Sequence, residues 1–114
     1  MGKEIEIWGD GSNVRDYIYI EDVADAIILS QNIPTKNNIY NIGSGKGTSL
    51  NEILKIISSI VKDKYSIKYL PNRSFDIKNN YLNIERAIKD LNWEPKIDMF
   101  SGINKVWESF KRRF

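Results

Sequence analysis

Two arginines and a cluster of glycines are the residues whose types and settings best suit a chemical task. Arg15 and Arg73 each stand in a polar stretch next to an aromatic-rich strand or a turn, away from any helix face they would merely solvate. A guanidinium in such a place suits phosphate, because its planar fork of donors matches two phosphate oxygens at once. Gly43, Gly45 and Gly47 follow a predicted strand and precede a predicted helix, where backbone N–H groups can cradle an anion. Their spacing departs from the familiar phosphate loops. G-x-G-x-x-G would put its third glycine at Thr48, no acid ends a strand about twenty positions on, and G-x-x-x-x-G-K-[ST] is not met. The cluster therefore reads as a flexible strand-to-helix turn.

The other charged groups have plainer readings. Glu21, Asp22 and Asp25 could be imagined as a carboxylate pair or a hard-metal site, but acids in the first turn of a helix are the ordinary complement of its dipole. Lys111, Arg112 and Arg113 fit the negative end of a last helix for the same reason. Trp93, Trp107, Phe110 and Phe114 lie at helical spacing or close to Pro95 and read as core. The chain has no cysteine and no histidine, which removes disulfides, thiol nucleophiles, histidine-based triads and metal sites built on either residue. With 17 basic and 15 acidic residues among 114, the net charge of +2 makes no case for nucleic acid. No apolar run approaches a membrane span and the start lacks a signal peptide's build, so a cytoplasmic location is expected.

The elements that must position these groups are legible in outline. Glu4 to Trp8 alternates like a half-buried strand, Gly9-Asp10-Gly11 is turn chemistry, and Tyr17 to Ile20 is predicted as a second short strand. Val23, Ala26 and Ile27 predict a helix that ends before Pro34, and Ile39 to Ile42 a third short strand. Ser49 and Glu52 form a capping box ahead of the stripe Leu50, Ile53, Leu54, Ile57, Ile60 and Val61. Ser66 to Leu70 alternates again and stops at Pro71, before a polar loop carrying Arg73 and Asp76. Asn83 caps a helix with Ile84, Ala87, Ile88 and Leu91, and Asp98 or Ser101 caps a last one with Ile103, Val106, Trp107, Phe110 and Phe114 on one face. The sum is an α/β chain of short strands with about four helices, read as one unit over residues 1–114.

Taken in order, these segments resemble the C-terminal part of the NAD-dependent epimerase/dehydratase family, the sugar-nucleotide branch of the short-chain dehydrogenases that includes UDP-glucose 4-epimerase. Gly9-Asp10-Gly11 followed by Val14-Arg15-Asp16-Tyr17-Ile18-Tyr19-Ile20-Glu21-Asp22-Val23-Ala24 resembles the family's "GDG…RDYIHVEDVA" block. Tyr40-Asn41-Ile42-Gly43-Ser44-Gly45 resembles its "YNIGSG", Arg73-Ser74-Phe75-Asp76 its "R-x-x-D" loop, and Leu91-Asn92-Trp93-Glu94-Pro95 its "LGWxP". The resemblance implies that Arg15 and Arg73 hold the diphosphate of a UDP-sugar, with Tyr17 nearby and Asp76 facing the ribose hydroxyls. The run from Arg73 to Ile84 is similar to members from polysaccharide biosynthesis clusters.

The chain also departs from a complete member. It has no G-x-x-G-x-x-G after a first strand, and none of Tyr17, Tyr19, Tyr40, Tyr65, Tyr69 and Tyr81 is followed four positions later by lysine. The expectation is therefore the substrate-binding last third of a Rossmann-type epimerase or dehydratase, without a complete dinucleotide-binding domain. No catalytic, cofactor-binding or metal-binding residue is expected within it. NAD would serve the full-length parent and not this chain alone, and apolar faces left without the N-terminal NAD-binding domain would favour a homo-oligomer. A stand-alone, non-catalytic nucleotide-binding or regulatory module of the same descent is the alternative; a nucleic-acid-binding domain is the weakest reading.

Overall fold

The computed structural model describes residues 3–34 and 37–113. Its elements run β1 (Glu4–Trp8), β2 (Val14–Asp16), α1 (Ile20–Asn32), β3 (Gly47–Ser49), α2 (Leu50–Ile60), β4 (Ser66–Leu70), β5 (Asn79–Asn80), α3 (Glu85–Leu91) and α4 (Met99–Lys111). β1 and β4 pair in parallel, Glu4 opposite Ser66 through Trp8 opposite Leu70. A second sheet has the order β3-β2-β5, antiparallel on one side of β2 and parallel on the other. Gly9 and Gly11 carry φ of 86° and 78° and turn the chain from one sheet to the other, so β1 and β2 are not a hairpin.

Local signals start α2 and α4 as expected, but at α3 the cap is Ile84, and Asn83, expected there, stands one residue before it because the helix begins only at Glu85. Ser49 Oγ accepts from the Glu52 amide while the Glu52 carboxylate accepts from the Ser49 amide, the reciprocal pair that starts α2. Asp98 accepts from the Ser101 amide at 2.8 Å and starts α4. Asn83 Oδ1 accepts from the Glu85 amide at the head of α3, which ends at Asn92 in the left-handed region.

Two strands fall elsewhere than predicted. The strand expected over Tyr17–Ile20 is displaced to Val14–Asp16, because β3 and β5 pair with those three residues while Ile20 already opens α1. Ile39–Ile42 is not in a ladder, since β2 is the middle strand and both its edges are taken. Tyr40 and Ile42 instead pack against a core of Ala26, Ile84, Ala87, Leu91 and Trp93.

The molecule is a slab of 53 × 39 × 18 Å with a radius of gyration of 16.9 Å, against about 13 Å for a compact chain of this length. Its accessible surface is 8730 Å², where roughly 6,450 Å² is expected for a folded chain of its mass. Large apolar side chains contribute to it: Ile27 and Ile28 of α1 and Phe100, Val106 and Phe110 of α4 are more than half exposed. Phe110, expected as core, is therefore corrected to a surface position, although it stacks on Trp107 at 5.8 Å, and Val106 on the same expected apolar face is exposed too. Phe114 lies outside the described residues.

Candidate functional site

Pro71 ends the β4 side of the first sheet, and the chain turns through Ser74 and Phe75 with the Asp76 amide donating to the Arg73 carbonyl. That turn brings Arg73 Nε to 3.0 Å from Asp76 Oδ2. The guanidinium carbon also sits 5.3 Å from the ring centres of Trp8, the last residue of β1, and of Phe75. Stacking on two rings and one charged hydrogen bond hold the guanidinium in a set plane. The pair uses Nε and one carboxylate oxygen, so the terminal nitrogens of Arg73 and the second oxygen of Asp76 can meet a ligand.

Arg15 was expected in a loop and stands instead in the middle of β2, paired with Thr48 of β3 and Asn80 of β5. Its Nη1 donates to the Ile77 carbonyl at 2.6 Å and to the Val14 carbonyl at 2.8 Å. The two arginines thus hold the same loop, Arg73 at its start through Asp76 and Arg15 at its end through Ile77. Asp76 lines an open cleft of about 590 Å³ with Ser12, Asn13, Tyr69 and Lys78. Tyr17 lines another, of about 560 Å³, with Lys46, Thr48 and Pro95. Three of the four expected site residues are therefore tied together by one loop, whereas Tyr17 lines a separate cleft and is not brought to it.

Asp16, which lies between Arg15 and Tyr17, has a role that residue spacing did not signal. Its Oδ1 accepts from the Ser44 amide and hydroxyl, both at 2.7 Å. Its Oδ2 accepts from the Gly45 amide at 3.0 Å and the Leu82 amide at 3.2 Å. The glycine turn is shaped around this carboxylate: a Cβ on Gly43 would stand 2.7 Å from Oδ2, and Gly45 has a φ of 71°. The Ser44 and Gly45 amides, which a phosphate would need, point at Asp16. Among the described residues this turn is where a dinucleotide phosphate would be sought, so the chain's own glycines do not fit that group.

Burial pushes the Asp16 carboxyl up, but the bonds from Ser44, Leu82 and Gly45 outweigh it and hold the group below its ordinary value of 3.8. A carboxyl depressed on folding stabilises the protein fully above its unfolded pKa and loses that contribution as pH falls through the lower, folded value. Stability is therefore expected to be level in this respect above about pH 5 and to decline below about pH 4. Thermal melts against pH check this, with Asp16→Asn showing a shallower acid limb than the native chain.

The acids at the head of α1 disperse. Glu21 pairs with Lys105 of α4 at 2.8 Å. Asp22 is buried and accepts from the Lys96 and Ile97 amides, each at 3.0 Å, so it is a structural tie. No group of three or more acids that could hold a metal occurs among the described residues. Lys111 pairs with Glu108 within the last turn of α4, and no described helix is long and apolar enough to cross a membrane.

Residues 1–43 match the model of the NAD dependent epimerase/dehydratase family. The chain is 38% identical over 105 residues to a UDP-glucuronate 4-epimerase of Thermodesulfobacterium geofontis, covering 91% of this chain and 32% of that protein. It is 31% identical over 112 residues to a UDP-glucose 4-epimerase of Mycolicibacterium smegmatis, covering 98% and 36%. Its fold superposes on the crystal structure of a UDP-glucose 4-epimerase from Thermotoga maritima with UDP-glucose, at a TM-score of 0.87 and 36% identity over 96% of this chain and 35% of that one. The chain spans about a third of the length of the curated relatives it matches, and corresponds to their C-terminal portion.

Proposed function

Because the chain has the sequence and the fold of the C-terminal portion of the NAD dependent epimerase/dehydratase family, we propose that it anchors the nucleotide of a UDP-sugar. Arg15 and Arg73 engage the diphosphate, Asp76 accepts from the ribose hydroxyls, and Tyr17 contributes beside them. The observation that carries this reading is the loop of residues 73–77, held at one end by each arginine. Two guanidiniums already oriented by carbonyls, a carboxylate and two rings make charge-assisted bonds to a diphosphate, worth roughly 1.5–3 kcal/mol each.

The contribution is positioning. Holding the nucleotide fixes where the sugar lies, which lowers the entropic part of a barrier without any bond being made here. NAD would supply hydride transfer at a sugar carbon in the parent enzyme. The sequence holds neither a Tyr-x-x-x-Lys pair nor a dinucleotide glycine fingerprint, so the isolated chain is inactive in this reading. Its cytoplasmic location and its place in polysaccharide synthesis go with the same reading. In an amide NMR titration, UDP is expected to shift Arg15, Tyr17 and residues 73–80, and NAD at the same concentration to leave them in place. Unmoved resonances at saturating UDP would overturn the assignment.

The unmatched surface supports a partner as well. Some 2,300 Å² more surface than a compact chain of this mass shows is the size of an obligate interface. In the parent the NAD-binding domain would cover part of it; alone, the chain is expected to self-associate. Sedimentation equilibrium is expected to give a dimer or larger species, and a strictly monomeric chain at high concentration would count against this.

A further inference from the structure

Building on the anchoring role proposed for Arg15, we propose that Asp16 is the positioning residue of this site, setting Arg15 against the 73–77 loop. Its carboxylate joins three segments far apart in the chain: β2, the glycine turn at Ser44–Gly45, and Leu82 just beyond β5. β5 is the strand beside Arg15 and follows directly on the loop that Arg15 and Arg73 hold. Successive residues of a strand face opposite sides, so the carboxylate that pins β2 on one face directs the Arg15 side chain to the other. The ladder alone is too short for this task. β5 is two residues long and meets β2 at Val14 and Arg15 only, so the bond from Leu82 to Asp16 fixes the strand's exit.

The chemistry at Asp16 demands an acceptor on both oxygens, because each receives two donors. Asparagine keeps the shape but turns an NH₂ toward two of those donors, which loosens one half of the clasp while leaving the other. Asp16→Asn is thus expected to lower UDP affinity about tenfold and to shift the Arg15 Nε–H resonance before any ligand is added. Ser44→Ala, which removes a single hydroxyl donor, is expected to do the same to a smaller degree and serves should Asp16→Asn not fold.

The cycle with Arg15→Ala separates positioning from general loosening. If Asp16 acts through Arg15, the double variant binds UDP no worse than Arg15→Ala alone. Multiplying losses, or an Arg15 Nε–H resonance and UDP affinity unchanged in both Asp16→Asn and Ser44→Ala, would overturn the proposal. A native chain that fails to bind UDP would overturn the anchoring role on which the proposal rests, while the Arg15 resonance in the Asp16 and Ser44 variants still decides whether Asp16 sets its position.

Discussion

Replacing Arg73 with alanine is expected to lower UDP affinity by roughly tenfold to a hundredfold, the worth of a charge-assisted pair to a diphosphate. The fold should hardly notice. The Arg73 side chain is 42% exposed while that of Asp76 is 15% exposed, so the pair is screened from its arginine side and contributes about 1 kcal/mol. Arg73→Lys is expected to recover only part of the affinity, because an ammonium keeps the charge but loses the fork and the planar stacking between Trp8 and Phe75. Both losses should shrink as salt is raised, since the site opens to solvent. Calorimetric titration with UDP at two salt concentrations, beside a thermal melt, checks this. An Arg73→Ala chain that binds UDP as tightly as the native one would remove Arg73 from the site.

Trp93→Ala is expected to have the largest effect on stability. Trp93 is 3% exposed and packs with Ala26, Ile84, Ala87 and Leu91, and truncating a buried tryptophan costs about 3–5 kcal/mol. Its indole N–H also donates to the Asp22 carbonyl at 2.9 Å, and the segment just beyond it supplies the two amides that satisfy the buried Asp22 carboxylate. Losing the ring therefore loosens the tie between α1 and the chain leading to α4. Among the described residues the buried cluster around Trp93 holds only four other side chains, two of them alanines, so there is little other packing to compensate. Trp93→Phe keeps most of the volume and forfeits the hydrogen bond, and is expected to cost clearly less. Urea denaturation reads both as a shift in midpoint at constant slope; a loss under about 1 kcal/mol for Trp93→Ala would place the core elsewhere.

The two predictions separate because the 73–77 loop and the core are held by different contacts. Arg73, Asp76 and Arg15 are fixed by one loop and the ends of short strands, whereas Trp93 and Asp22 join α1 to the segment after α3. Damage to the loop should thus be read in affinity, and damage to the core in stability.

What the sequence by itself determined was everything decided within a turn of helix or a few residues of strand. The capping box at Ser49 and Glu52, the cap at Asp98 and the alternation of Ser66–Leu70 all join residues at most four apart. The order of motifs was equally plain, and it carried the family resemblance. Tertiary structure alone decided which three residues of the Val14–Ile20 stretch became β2, because that depended on two partner strands far along the chain. It also decided what Asp16 and Asp22 are for: their donors lie 28 to 75 positions away, and a carboxylate in a sequence carries no mark of which distant amides will reach it. The helical stripes of α1 and α4 marked which side wants burial, yet Ile27, Val106 and Phe110 stand exposed. Periodicity records the wish of a face for a partner, and only the packed chain shows whether the partner is within it.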